Sequence, residues 1–63
     1  MIDKNLVMIM QDRFVYESFA FLDFEIAYKR AKELCVEHKK KIIILSFHND
    51  KVYQKIILYP RKT

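Results

Sequence analysis

The sequence predicts an α+β domain in the order ββαββ, a four-stranded antiparallel sheet with one helix packed on one face. Three observations predict it. Two short apolar runs, Leu6–Met10 and Ile42–Phe47, are each followed by turn-forming residues and then by a segment rich in aromatic and β-branched side chains. Between these hairpins, Phe24–Lys39 carries no Pro or Gly and places apolar or small residues at helical spacing. The whole chain has 63 residues, which suits a single small domain, 1–63, and little else.

The elements follow in chain order. Leu6–Met10 reads as a strand, Gln11-Asp12 as a two-residue loop and Arg13–Phe19 as the returning strand. The chain contains no Gly, so the positive φ of tight hairpins falls to Asn and Asp. Asp23 is the expected N-cap of the helix, with Leu22 placed to staple against Ala27. The inward stripe is Ala27, Ala31, Leu34, Cys35 and His38, and Glu25–Lys29 is a favourable i,i+4 pair. Ile42–His48 is the third strand, Asn49-Asp50 a tight turn and Lys51–Tyr59 the fourth strand. Pro60 ends it because proline cannot donate to a ladder, which leaves 60–63 as a frayed basic tail. Leu6–Met10 and Ile42–Phe47 are apolar at almost every position, as strands with neighbours on both sides are. Placing them side by side at the centre gives the strand order 2-1-3-4.

Hairpin register then separates two faces. A loop at Asn49-Asp50 sets Ile43, Leu45 and Phe47 with Val52, Gln54, Ile56 and Leu58 on the face that meets the helix. A loop at Gln11-Asp12 adds Val7, Ile9, Phe14 and Tyr16 to it. The opposite face is expected to hold an apolar centre of Leu6, Met8, Met10, Val15, Ile42, Ile44 and Ile57, bordered by Tyr53, Tyr59 and charged residues including Glu17. An apolar centre with a polar and aromatic border is the anatomy of a protein interface, and methionines suit an adaptable contact surface. A slip of one residue would exchange the faces and turn the same patch into ordinary core.

The other chemistry in the sequence is sparse. Cys35 and His38 lie three apart on the helix, but nothing supplies an orienting third group, so a buried thiol beside a core imidazole is the expectation. With His48 they make only three Cys or His in the chain, short of a closed zinc site. Glu33 and Glu37 are interleaved with lysines and read as a solvated helix face. No catalytic residue, metal, cofactor or small-molecule substrate is expected. The chain is basic, with net charge +4, and the charge is uneven. Residues 1–28 carry a net of −3 and residues 29–63 a net of +7. Lys29, Arg30, Lys32, Lys39, Lys40, Lys41, Arg61 and Lys62 are therefore the candidate contacts to a polyanion. No signal-peptide pattern and no apolar run long enough to span a membrane is visible, and a lone Cys fits a reducing interior. A soluble cytoplasmic protein is expected.

The layout of a hairpin, then Phe21-Leu22-Asp23-x-Glu25-x-Ala27 opening a helix, then a strand, resembles that of several small phage-encoded inhibitors of host enzymes. A Lys- and Ile-rich, Gly-free composition is compatible with a viral or mobile-element gene. The resemblance implies a non-enzymatic inhibitor of a larger host protein, and no residue roles are transferred from it. A core this small, with no disulfide or metal to staple it, points to help from a second copy or a partner. The expectation is a protein-binding or regulatory module, homodimeric or docked on a larger protein. The alternative is a basic nucleic-acid-binding module.

Overall fold

The computed structural model describes residues 3–61. Strand β1 spans Asp3–Gln11, β2 Phe14–Phe21, helix α1 Phe24–His38, β3 Ile42–His48 and β4 Lys51–Leu58. The sheet is antiparallel with order β2-β1-β3-β4, as the two apolar runs predict. Helix α1 lies across one face of it. Lys62 and the last residue of the tail lie outside the described residues.

Local chemistry explains the element ends. The Asp23 carboxylate accepts from the backbone N–H of Glu25 at 2.8 Å and of Ile26 at 3.3 Å, which satisfies two donors of the first helical turn. Leu22 is 76% exposed and does not staple against the buried Ala27. At the other end Lys39 takes a left-handed conformation with φ 54°, and its N–H donates to the Cys35 carbonyl at 3.0 Å. That is a glycine role performed here by lysine. The helix therefore ends at His38, one residue before the predicted end. On the helix surface the ion pair that forms is Arg30–Glu33 at 3.4 Å, in place of the expected Glu25–Lys29.

Both turns use residues that tolerate positive φ. Asn49 and Asp50 adopt φ of 50° and 66°, as a type I′ turn requires. In the first hairpin the turn is Asp12-Arg13, one residue later than predicted, and only Asp12 has positive φ, at 56°.

The two hairpins follow the same plan. In the first, Gln11 pairs with Phe14 and Met10 with Val15. Tyr16 is then the extra residue of a bulge, and pairing resumes at Ile9↔Glu17. In the second, His48 pairs with Lys51 and Phe47 with Val52. Tyr53 is the extra residue, and pairing resumes at Ser46↔Gln54. The bulged strand reads Val-Tyr in both cases, Val15-Tyr16 and Val52-Tyr53. The central pair Val7↔Ile44 joins equivalent positions of the two hairpins. The sheet therefore has an approximate two-fold axis through that pair. The sequence shows no repeat of useful length, and the correspondence emerges only from the register.

The bulges decide the faces. Beyond Tyr53 the parity of β4 against β3 inverts. Ile56 and Leu58 still face the helix, but their partners on β3 are Ile44 and Ile42, whereas the turn alone sets Ile43 opposite Ile56. Ile42 and Ile44 are 0% exposed beneath α1 and belong to the core. Their expected place on the outer face is corrected accordingly. The core joins Val7, Ile9, Ile42 and Ile44 of the sheet to Ala27, Ala31, Leu34 and Cys35 of the helix. Phe21, Phe24, Tyr28, Ile56 and Leu58 pack around it. Ala27 and Ala31 leave room for the helix to lie close on the sheet.

One polar pair is buried within this layer. The Ser46 hydroxyl donates to Asn5 Oδ1 at 2.8 Å, and Asn5 Nδ2 lies 3.3 Å from the carbonyls of both Phe21 and Leu22. Asn5 thus ties the central strands to the connection that leads into α1, and its buried groups are satisfied.

Candidate docking surface

The register assigns the outer face row by row. One row runs Ser18, Met8, Ile43, Ile57 and the next Ala20, Leu6, Leu45, Lys55. Lys4, Phe47 and Val52 continue it at one end, and Val15 with Met10 at the other. Leu6, Met8 and Met10 on β1, with Val15 and Ile57 on the outer strands, lie where the sequence predicts. Ile43, Leu45 and Phe47 take the places expected for Ile42 and Ile44.

Two aromatic positions also move. Tyr53 is the unpaired residue of the β4 bulge and leaves the row pattern. Tyr59 lies beyond the end of β4 and lines a groove against the helix. Glu17 pairs with Ile9 and belongs to the helix side of the sheet, though exposed.

Within these rows the charged residues are Lys4 and Lys55. The Lys4 ammonium lies 5.3 Å from the Phe47 ring centre, a cation–π contact that covers the one aromatic on the inner strands of this face. Leu6, Met8, Met10, Ile43, Leu45 and Phe47 are half-buried by their neighbours in the sheet alone. No element crosses them, because α1 packs on the opposite face. The Cα envelope measures 41 × 23 × 16 Å, and its thinnest dimension holds one sheet layer and one helix layer. The chain exposes 5063 Å², against about 4,300 Å² expected for a compact monomer of this mass. An apolar patch of a few hundred Å² or more on a small chain often marks an interaction site.

The basic residues do not converge on this face. Lys32, Lys39 and Arg61 line the groove between α1 and the end of β4. Lys39, Lys40 and Lys41 meet Met10, Gln11, Asp12 and Pro60 at the end of the sheet. The Lys40 ammonium is 5.8 Å from the Tyr16 ring centre, and Arg30 is engaged by Glu33. Lys29 is exposed on the helix. Stacking of bases on the inner strands would require aromatics there, and Phe47 is alone among Leu, Met and Ile.

Cys35 is a buried free thiol, and burial pushes it above its ordinary value. His38 lies against Tyr16, with ring centres 6.2 Å apart. His48 lies on the helix-side rows, its Nδ1 2.6 Å from the Asp3 carboxylate. Among the described residues no three His, Cys, Asp or Glu side chains gather as a metal site, and no helix is long and apolar enough to cross a membrane. No protein-family model, curated protein or solved structure matches this chain.

Proposed function

We propose that the protein is a small non-enzymatic protein-binding module, and that its outer sheet face closes on a second copy of the chain. The observation that supports this reading is the uncovered apolar block on β1 and β3. It continues through Leu6, Met8, Met10, Ile43, Leu45 and Phe47 with no layer above it.

A second copy fits the shape of that face. The two edge strands differ in height: β2 offers Ser18 and Ala20 in the rows where β4 offers Ile57 and Lys55. Turning one copy about an axis parallel to the strands sets Ile57 and Lys55 of each over the small residues of the other. Aligned packing of two sheets then buries the Met and Leu centre, while the Lys55 stems run outward to solvent at the edges. The pair would supply the apolar layer that a lone two-layer chain of this size lacks.

Sedimentation across a wide concentration range tests the reading. A reversible monomer–dimer equilibrium is expected, and a strict monomer at hundreds of micromolar removes it. A salt titration with generic DNA and RNA tests the rival. Phosphate-driven binding is strongest at low salt, so tight binding there with a steep salt slope would favour the nucleic-acid reading.

A further inference from the structure

Behind the proposed dimer face, α1 leaves the end of β4 partly open, and the structure carries a second surface there. Helix and strand part to form a groove of ≈ 520 Å³. That lies within the range of sites that hold ligands. Cys35 and Leu58 form its apolar floor, and the exposed Val36 and Tyr59 stand at its sides. Lys32, Lys39 and Arg61 line it as well, and no acidic residue does.

We propose that this groove binds an acidic peptide segment of another protein, anchored by an aliphatic or aromatic side chain. The proposal deepens the protein-binding reading by naming a partner chemistry, and the site lies on the helix side, clear of the dimer face. Charge complementarity selects the acid, since three basic side chains surround the groove without a carboxylate among them. The floor selects the anchor. Val36, 76% exposed on the helix, offers a further apolar contact at its edge. The Lys32 ammonium rests 5.2 Å from the Tyr28 ring centre, an exposed contact from which it can swing to meet an anion. A nucleic acid fits less well, because phosphates need cations spaced along a track. The three cations of this groove, Lys32, Lys39 and Arg61, are instead gathered around an apolar floor.

Fluorescence anisotropy tests this with a labelled peptide that alternates glutamate with leucine and phenylalanine. A glutamine-for-glutamate peptide and a labelled single-stranded oligonucleotide serve as comparisons. Expected are saturable binding of the acidic peptide and weak binding of the glutamine version. Val36→Glu and Arg61→Glu should each weaken it by about tenfold or more, about 1.4 kcal/mol. Val36 and Arg61 are exposed, so both variants should keep the circular dichroism of the parent. Sedimentation of the same variants separates this proposal from the dimer, since neither should change the association state. The proposal is overturned by absence of peptide binding at low salt, or by equal binding to Val36→Glu. It is also overturned by preference for the oligonucleotide, or by loss of the dimer in Val36→Glu, which would place the groove inside that interface.

Discussion

Ile44 and Leu45 are neighbours in the chain and sit on opposite faces of β3, so one substitution at each separates core from interface. Ile44 is fully buried beneath α1. Ile44→Asp forfeits about 1.5–3 kcal/mol of side-chain burial and adds several more for an unpaired buried charge. A single core of this size rarely supplies more than about 3–5 kcal/mol, so the variant should unfold. Leu45 is half-buried on the face that carries no helix and lies directly opposite Lys55. In the monomer Leu45→Asp gains a cross-strand partner of opposite charge, worth about 0.2–1 kcal/mol, and should remain folded. Its effect falls on the dimer. β1 and β3 pair from Asp3↔His48 to Ile9↔Ile42, about 20 Å of strand, and four strands make a face about 19 Å wide. The footprint is about 400 Å² on each copy, and side-chain relief raises the total buried area toward ~1,000 Å², the lower end for specific interfaces. A weak, reversible dimer is expected of an interface of that size. An aspartate buried at its centre should weaken it by about a hundredfold or more. Sedimentation equilibrium reads the mass, and far-ultraviolet circular dichroism reads the fold. The wild-type melting temperature should rise with concentration, and that of Leu45→Asp should not. A folded Ile44→Asp, or a Leu45→Asp that dimerises like the parent, would refute the assignment of faces.

Four further outcomes follow from the fold. Asp23→Ala removes the cap on two helix N–H groups and should cost about 1 kcal/mol, a fall in melting temperature of about 4–8 °C. Asn5→Ala leaves the Ser46 hydroxyl and two carbonyls without their partner and should cost about 1–3 kcal/mol; a double-mutant cycle with Ser46→Ala should show coupling, and additivity would deny the pair. Burial raises the Cys35 thiol in the folded state, so the unfolded chain releases that proton first. The stability it contributes is complete below the unfolded value near pH 9 and is lost as pH rises through the folded one; Cys35→Ala should flatten the decline measured by urea unfolding above about pH 9. Alkylation of Cys35 at neutral pH should be slow in the native protein and fast in urea.

Much of this architecture is legible in the residues. Asp23 before an uninterrupted helical stripe places α1, and the continuous apolar runs place β1 and β3 at the centre of the sheet. On β1, likewise apolar on both faces, the turn sets the charged Arg13 and Glu17 opposite Met10 and Leu6 and so directs that set away from the helix; Val7 and Ile9 do form the core, although the turn falls one residue later and Glu17 pairs with Ile9. β3 resists the same treatment. Ile42, Ile43, Ile44 and Leu45 are apolar on both faces, so period-two reasoning has no contrast to work with. Its faces were therefore inferred from its partner through the turn, and a single extra residue at Tyr53 inverts that inference.

Local chemistry by itself determined the element order, the Asp23 cap and the Asn49-Asp50 turn, because each depends on residues near one another in the chain, and the two continuous apolar runs marked which strands are central. Which isoleucines of β3 became core was decided only by tertiary structure. Pairing with β1 aligns Ile44 with Val7, and α1 covers that side alone. The bulges let each hairpin satisfy both its turn and this shared register. The groove of Lys32, Lys39 and Arg61 has the same origin: residues from the helix, its cap and the chain beyond β4 meet there only after the helix has settled on the sheet.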